Sequence, residues 1–248
     1  MELGIAGRRA AVAAASVGLG FGTARALAAE GVRVAICSRE RARVEAAAKR
    51  IDGEVIPLVC DVASEQGARG FVRAAREALG GLDILVANGG GPPPGPAAGV
   101  DRAQQRESLE RCFLSLQAMV EEALPGLQAQ RWGRILAITT PGVRQPLPNM
   151  VYSNTARAAF TAYLKTLARE LAASGITVNS LLPMSIDTER LRELVGANAE
   201  LLAKQSPSGR MGDAADFGRV AAFLCSEPAN YVTGVALPVD GGYCVGLA

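Results

Sequence analysis

The feature that most constrains this chain is a regular alternation of short apolar runs with longer stretches of helical spacing. Short runs rich in β-branched residues are typical of buried strands, and apolar residues three and four apart indicate amphipathic helices. Alternation of this kind predicts a parallel sheet wrapped on both faces by right-handed crossover helices. The predicted strands are 9–15, 32–37, 54–59, 82–87, 133–139, 176–182 and 235–240, and the predicted helices are 20–30, 40–51, 64–79, 103–129, 151–173, 188–203 and 214–225.

No linker, shift of composition or internal repeat divides these units. The sequence therefore predicts one doubly wound α/β domain over residues 1–248, with a seven-stranded parallel sheet. Apolar residues make up 49% of the chain and aromatic residues only 4%. This balance suits small side chains packed closely between helices and a parallel sheet.

The composition excludes several kinds of active site. The chain has no histidine, which removes Ser-His and Cys-His nucleophiles and His-containing zinc sites, and no metal is expected. The five cysteines are odd in number and form no CxxC pair, so we expect reduced, mostly buried thiols in a cytoplasmic protein. These cysteines are Cys37, Cys60, Cys112, Cys225 and Cys244.

Charge and hydropathy argue against two classes of partner. The formal net charge is +2 and no long basic run is present, so no nucleic-acid partner is expected. Arg8-Arg9 and the apolar run behind them resemble a signal segment, but the run is too short to span a bilayer and breaks at Gly18 and Gly20. A buried strand leading into a helix is the better interpretation, and no membrane association is expected.

The turn after the first predicted strand has the composition of a nucleotide-binding loop. It reads A-A-A-S-V-G-L-G over residues 13–20. Glycines in such a turn let backbone N–H groups approach a pyrophosphate, which the N-terminus of the following helix also attracts. Two glycines alone are a weak signal, because any tight strand-to-helix turn can use them. Their position in the first βαβ unit favours nucleotide binding.

The end of the second predicted strand indicates which nucleotide is bound. An NAD site usually has an acidic residue there for the ribose 2′-hydroxyl, whereas an NADP site uses Arg and a small hydroxyl for the 2′-phosphate. This chain has Ser38 and Arg39 and no acid at the tip. The sequence therefore predicts NADP(H) over NAD(H); the alternative is that Arg39 only begins a helix.

Several motifs are spread over nearly the whole chain. They are CDV (60–62), DILVANGG (83–90), WGRILAITT (132–140), LARELAASGITVNSLLP (167–183), IDTERL (186–191) and the long segment 209–243. Together these motifs resemble the short-chain dehydrogenase/reductase family, and most of all its 3-oxoacyl-(acyl-carrier-protein) reductases. The resemblance implies a Rossmann-type fold and hydride transfer between a nicotinamide and a carbonyl or alcohol carbon of a small-molecule substrate.

The resemblance implies cofactor contacts at the matching positions. Asp61 and Val62 would contact the adenine, and Pro183, Ile186 and Thr188 would border the nicotinamide amide. Each of these could instead be a turn or cap residue, and Thr188 in particular could cap the helix after it. The family's first glycine is replaced by Ala14. The expected cofactor-binding set is Ala14, Ser16, Val17, Gly18, Leu19, Gly20, Ser38, Arg39, Asp61, Val62, Asn88, Gly89, Gly90, Arg157, Pro183, Ile186 and Thr188.

The family's catalytic Asn, Ser, Tyr and Lys positions read Cys112, Thr140, Ser153 and Arg157 here. The family spacing is kept: the third position follows the second by 13 in residue number, and the fourth follows the third by four. Thr140 keeps a hydroxyl and Arg157 a cation, but the aliphatic hydroxyl of Ser153 is a poor acid near neutral pH. Tyr152 is the alternative proton donor if the first helical turn shifts; otherwise it packs beside the substrate loop.

Two functions remain open on the sequence. The first is an NADP(H)-dependent oxidoreductase with an altered mechanism that reduces a carbonyl, 3-oxoacyl-like substrate or oxidises the alcohol. The second is a nucleotide-binding sensor or partner subunit whose catalysis is impaired. The loops 89–99, 141–149 and 188–210 are expected to shape the substrate pocket.

The resemblance also implies self-association to a homodimer or homotetramer. The long helices 103–129 and 151–173 would pair across a two-fold axis. Ala158 and Ala162 would allow close helix approach, with packing inside the monomer as the competing explanation.

Overall fold

The computed structural model describes residues 2–195, 203–204 and 206–247. Seven parallel strands form one sheet in the order β3-β2-β1-β4-β5-β6-β7. The chain steps outward from β1 to β3 and then returns to build the other half from β4 to β7, as a doubly wound sheet does. The strands are β1 Arg9–Val12, β2 Arg33–Ser38, β3 Val55–Val59, β4 Ile84–Ala87, β5 Gly133–Ile138, β6 Ile176–Pro183 and β7 Ala236–Val239.

Helices connect the strands and cover both faces of the sheet. A π-helical segment, Glu110–Leu114, joins α4 to α5, so the predicted helix 103–129 is helical throughout but changes its winding. The predicted helix 188–203 begins at Glu189 and is described to Val195; residues 196–202 lie outside the described part of the chain. The helices are α1 Gly18–Ala29, α2 Arg41–Ala48, α3 Glu65–Leu79, α4 Arg102–Leu109, α5 Ser115–Gln130, α6 Val151–Leu171, α7 Glu189–Val195 and α8 Ala214–Leu224.

The strands send alternate side chains into two cores. On one face, Ala11 and Ala13 join a core that contains Phe71 of α3 and Phe160 of α6. On the other face, Ala10 and Val12 join a core that contains Leu27 of α1 and Phe217 of α8. Small residues on β1 let helices approach the sheet closely from both sides. The fold class predicted from the sequence is confirmed: this is a single α/β domain with a seven-stranded parallel sheet and helices on both sides.

Two glycines bring α1 and α8 into backbone contact. A Cβ on Gly22 would lie 2.2 Å from the Ala214 carbonyl oxygen, and a Cβ on Gly218 would lie 2.2 Å from the Gly22 carbonyl oxygen. A side chain at either position would push the helices apart. The contact fixes the N-terminal half of α1, and with it the turn after β1, against the C-terminal part of the fold.

None of the described helices has the length and apolar character needed to cross a membrane. No group of three or more potential metal ligands is found within the described residues. All five cysteines are free thiols, and Cys37, Cys112 and Cys225 are buried.

Candidate active site

The turn after β1 is strained at the position where the resemblance expects glycine. Ala14 adopts a φ of 48°, a left-handed conformation that costs an L-residue about 1–2 kcal/mol. The turn is held by β2: the Ala14 N–H donates to Cys37 Sγ at 3.4 Å and the Ala15 N–H to the Cys37 carbonyl at 3.0 Å. Because Ala14 leaves the extended region, β1 ends at Val12 and not at residue 15 as predicted.

Gly20 allows the turn to fold back on itself. A Cβ at this position would lie 2.6 Å from the Ala14 carbonyl oxygen and 2.9 Å from Asn88 Nδ2. The Asn88 amide donates to the carbonyls of Ala13 and Ala14 at 3.2 and 3.3 Å. Asn88 therefore connects the end of β4 to the turn after β1 by hydrogen bonds, and the two segments lie together at the carboxyl end of the sheet.

The N-terminus of α1 has free donors. Its N-cap residue, Val17, makes no side-chain capping bond, whereas Ser64 caps α3 and Asp213 caps α8 through their side chains. The first N–H groups of a helix carry partial positive charge and attract anions. Gly18, at a φ of 63°, faces Thr188: a Cβ there would lie 3.5 Å from Thr188 Cγ2. Ser16, Leu19 and Val17 line the partly exposed rim of this turn.

The tip of β2 presents a hydroxyl and a free cation. The Ser38 hydroxyl accepts a hydrogen bond from the Glu40 N–H at 3.2 Å. Arg39 is exposed, and it has no hydrogen bond or ion pair to any of the described residues. Helix α2 begins at Arg41, so Arg39 precedes the helix. The guanidinium is therefore available to a ligand at this edge.

Asp61 and Val62 follow β3 at the same edge. Asp61 is exposed and its Oδ1 accepts from the Ala63 N–H at 3.0 Å, while Val62 is buried against the sheet. Past β4, Gly89 passes beside Leu116, and a Cβ there would make ordinary contact at 3.5 Å. The Gly90 carbonyl accepts the Cys112 S–H at 3.5 Å.

The segment after β6 also lies at the carboxyl end of the sheet. Pro183 is the last residue of β6, and the buried Ile186 pairs with Gly212 in an isolated parallel bridge. The Thr188 hydroxyl accepts from the Leu191 N–H at 3.2 Å. Thr188 thus caps α7 while its methyl group faces Gly18.

Thr140 follows β5 and has its hydroxyl oriented by the backbone. Its Oγ1 accepts from the Gly142 N–H at 3.3 Å as Thr140 caps the short 3-10 helix Pro141–Val143. Since the oxygen is used as an acceptor, the hydroxyl proton is left to donate to a ligand.

Ser153 and Arg157 lie one turn apart on α6 and are 5% and 7% exposed. Arg157 Nη1 donates to the Ile138 carbonyl oxygen at 3.0 Å, which places the guanidinium at the end of β5, two residues from Thr140. No described residue forms a hydrogen bond with the Ser153 hydroxyl.

Tyr152 is directed at the loop after β4. Its hydroxyl accepts from the Asp101 N–H at 3.1 Å, and a Cβ on Gly95 would lie 2.4 Å from its ring. Gly95 also bonds to the loop after β5, through the Asn149 carbonyl at 2.8 Å and the Val151 N–H at 3.1 Å. The ring thus packs where the two loops join.

The joining of these loops was not foreseen from the sequence. Asn154 adds to it, because its Nδ2 donates to the Leu147 carbonyl at 2.9 Å. A Cβ on Gly142 would lie 2.3 Å from Asn154 Oδ1. Glycines at 95 and 142, isolated within proline-containing loops, were the only signal of such close approach.

Cys112 lies in the π-helical segment, and its buried side chain points to the Gly90 carbonyl. Burial raises the pKa of the Cys112 thiol, while the nearby Arg157 and Arg111 guanidinium groups lower it by less. The thiol therefore stays neutral near pH 7 and supplies no counter-charge to Arg157.

Comparisons with known proteins show which family the chain belongs to. Residues 13–244 match the family model described as enoyl-(acyl carrier protein) reductase. The chain is 31% identical to the 3-oxoacyl-(acyl-carrier-protein) reductase FabG of Pseudomonas aeruginosa PAO1 over 245 residues, which cover 97% of this chain and 98% of that protein.

Solved structures are similar over almost the full length. L-sorbose reductase from Gluconobacter frateurii, complexed with NADPH and L-sorbose, has a TM-score of 0.91 and 28% identity, with complete coverage of both chains. An NADPH-bound short-chain oxidoreductase from Pseudomonas aeruginosa PAO1, described as containing an atypical catalytic center, has a TM-score of 0.88 and 30% identity, covering 96% of this chain and 97% of that one. This chain belongs to the short-chain dehydrogenase/reductase family of oxidoreductases.

Proposed function

We propose that this protein is an NADP(H)-dependent oxidoreductase that reduces a carbonyl, 3-oxoacyl-like substrate or oxidises the corresponding alcohol. The observation that carries the proposal is the cradle around Gly20. There Asn88 fixes the turn after β1, and the N-terminus of α1 lacks a side-chain cap. A dinucleotide pyrophosphate fits these free donors.

The proposed preference for NADP(H) rests on the tip of β2. A 2′-phosphate would be recognised by the Ser38 hydroxyl and the unpaired Arg39 guanidinium, and no acidic side chain stands at either position. Both the sorbose reductase and the atypical oxidoreductase were solved with NADPH. Asp61 and Val62 would hold the adenine, with Pro183, Ile186 and Thr188 beside the nicotinamide.

The side chains at the end of β5 would handle the substrate oxygen. When bound, the reduced nicotinamide supplies the hydride. Thr140 would donate a hydrogen bond from its hydroxyl to the substrate oxygen. Arg157 would bridge the ribose hydroxyls and stabilise the negative charge that develops on the substrate oxygen. Ser153 has too high a pKa to serve as a general acid, so a water molecule would deliver the proton in the space beside it. The neutral Cys112 side chain would form part of the wall of the substrate pocket.

Fluorescence titration with NADPH and with NADH tests the binding part of the proposal. We expect binding of NADPH that is tighter than that of NADH. Incubation with a panel of ketones and 3-oxoacyl thioesters, followed at the NADPH absorbance, then tests turnover. Tight NADPH binding without turnover on any compound would favour the nucleotide-binding sensor or partner subunit instead.

The proposal includes assembly into a homodimer or homotetramer in the cytoplasm. Ala158 and Ala162 lie one turn apart on α6 and are exposed, so packing within the monomer does not account for them. A second copy of α6 could approach closely along this face. Light scattering on the purified protein tests this: a monomeric mass at micromolar concentration would contradict it.

A further inference from the structure

Arg157 is a buried cation without an acidic partner among the described residues. Arg157 is only 7% exposed. Its guanidinium makes one hydrogen bond to the described residues, from Nη1 to the Ile138 carbonyl oxygen. A guanidinium carries five N–H donors, so donors remain for a second ligand beside the ribose hydroxyls proposed above. Burial of an uncompensated charge is costly. A buried guanidinium of this kind therefore indicates a ligand that supplies the missing negative charge and hydrogen-bond acceptors.

Arg134 shows how the same chain treats a structural arginine. It is 1% exposed, and Nη2 lies 3.5 Å from Glu227 Oε2 and 3.3 Å from Asn230 Oδ1. The guanidinium also lies 4.2 Å from the centre of the Trp132 ring. The charge of Arg134 is therefore paired with a carboxylate and its donors are hydrogen-bonded. Within the described residues, Arg157 has no carboxylate partner and only one bonded donor.

The unused donors of Arg157 open onto the candidate active site. Among the described residues, Thr177 Oγ1 is the only fully enclosed side-chain nitrogen or oxygen without a partner. The remaining Arg157 N–H groups therefore keep some exposure to solvent. The guanidinium lies beside Thr140, two residues after Ile138, and beside Ser153, one turn earlier on α6. Cys112, the nearby titratable group, is a neutral thiol.

We infer that the substrate carries a carboxylate next to its reducible carbonyl, as a 2-oxo acid does, and that Arg157 binds this carboxylate. The inference rests on the proposed NADP(H)-dependent reduction of a carbonyl, and it takes a 2-oxo acid as the substrate in place of a 3-oxoacyl compound. A planar guanidinium pairs with a carboxylate through two parallel hydrogen bonds. Thr140 then donates to the ketone oxygen of the same molecule.

This arrangement also explains how a site without a phenol completes the reaction. The hydride forms the new C–H bond, the carbonyl π pair becomes an alkoxide lone pair, and NADPH is left as NADP⁺. The Arg157 cation stabilises the alkoxide as it forms. One proton from bulk solvent, relayed through water, then converts the alkoxide to the alcohol, so that ketone, NADPH and H⁺ give alcohol and NADP⁺ without an acidic side chain.

A binding experiment with inert analogues tests the inference. Oxamate, a non-reducible mimic of a 2-oxo acid, and its neutral counterpart oxamide are titrated into the protein–NADPH complex, and quenching of NADPH fluorescence is followed. We expect oxamate to bind at least about tenfold more tightly than oxamide, because hydrogen bonds to charged groups are stronger. Arg157→Gln is expected to remove this preference, and Arg157→Lys to keep part of it.

Arg169→Gln is the matched control, since Arg169 lies exposed in the last turn of the same helix, and it should bind oxamate as the wild type does. Equal affinity for oxamate and oxamide, or unchanged oxamate affinity in Arg157→Gln, would overturn the inference and leave the proposed function standing. Failure of the wild type to bind NADPH would instead overturn the proposed function. If Arg157→Gln does not fold, the comparison of the two analogues in the wild type decides the question alone.

Discussion

Arg157 on α6 and Ile138 at the end of β5 are joined by a hydrogen bond of 3.0 Å between Nη1 and the carbonyl oxygen. This bond holds the guanidinium two residues from Thr140, whose hydroxyl is oriented by the Gly142 N–H. A cation and a hydroxyl donor are thereby fixed on one main-chain segment. We propose that this pair, and not an acid/base side chain, gives the candidate active site its chemistry.

Thr140→Val is expected to lower kcat/KM for any reducible carbonyl by about 10²–10³-fold, because it removes one preorganised donor to the substrate oxygen. The variant keeps the size and β-branching of the side chain. Thr140→Ser keeps the hydroxyl and should retain most of the activity. Equal activity of Thr140→Val and the wild type would mean that another group holds the substrate oxygen.

Tyr152→Phe is expected to leave turnover nearly unchanged and to lower the free energy of unfolding by about 1 kcal/mol, the net value of one hydrogen bond. The lost bond is the one from the Asp101 N–H, and the ring still packs on Gly95. Urea unfolding and the carbonyl assay measure the two effects. Loss of activity without loss of stability would identify Tyr152 as the proton donor.

Arg39→Ala is expected to weaken NADPH binding about tenfold or more while NADH binding stays the same, because only NADPH has the 2′-phosphate that a guanidinium would pair with. Arg41→Ala is the control: Arg41 is exposed and pairs with Glu45 on its own helix. Affinities from fluorescence titration check the prediction. Equal affinity for NADPH before and after the Arg39 change would refute the assigned role.

Ala14→Gly is expected to raise the free energy of unfolding by up to about 1 kcal/mol, because glycine relieves the left-handed strain but adds freedom to the unfolded chain. The control is Ala13→Gly, at a neighbouring position without a positive φ, which should lower stability. Denaturant midpoints of the two variants give the comparison. A destabilised Ala14→Gly would show that the alanine methyl group makes contacts worth more than the strain.

Stability is expected to fall as the pH rises above 9. Burial raises the pKa of Cys37 and of Cys225 from 9.0 to about 12, so the folded protein keeps both protons while the unfolded chain releases them. The stabilisation is complete below pH 9 and is lost between pH 9 and 12. The double variant Cys37→Ala, Cys225→Ala should show a flatter decline of urea-unfolding free energy over this range. A slope identical to that of the wild type would contradict the prediction.

The sequence was sufficient for the fold because the two periodicities of strand and helix are local signals. All seven predicted strands occur in the described structure. The predicted end of β1 was wrong because Ala14 takes a backbone conformation that alanine rarely adopts. The contacts that hold this turn, with Cys37, Gly20 and Asn88, come from other parts of the chain. The π-helical winding around Cys112 likewise depends on packing between elements and not on local propensity.

The candidate site was less predictable than the fold. The spacing predicted that Thr140, Ser153 and Arg157 belong to one site. No count of residues shows that Arg157 bonds to Ile138 or that it has no acidic partner in the described part of the chain. The direction of Tyr152 depends on the joining of two loops through Gly95, a contact between segments more than 50 residues apart. Such contacts are set by the tertiary structure, which a single sequence does not display.

The most direct test is a crystal structure with NADPH bound. We expect the pyrophosphate at the N-terminus of α1 and the nicotinamide facing the Thr140 hydroxyl, with the Arg157 guanidinium within hydrogen-bonding distance of the nicotinamide ribose. Tyr152 should keep its bond to Asp101. A nicotinamide that faces the Tyr152 hydroxyl, with Arg157 turned away from the ribose, would contradict the account.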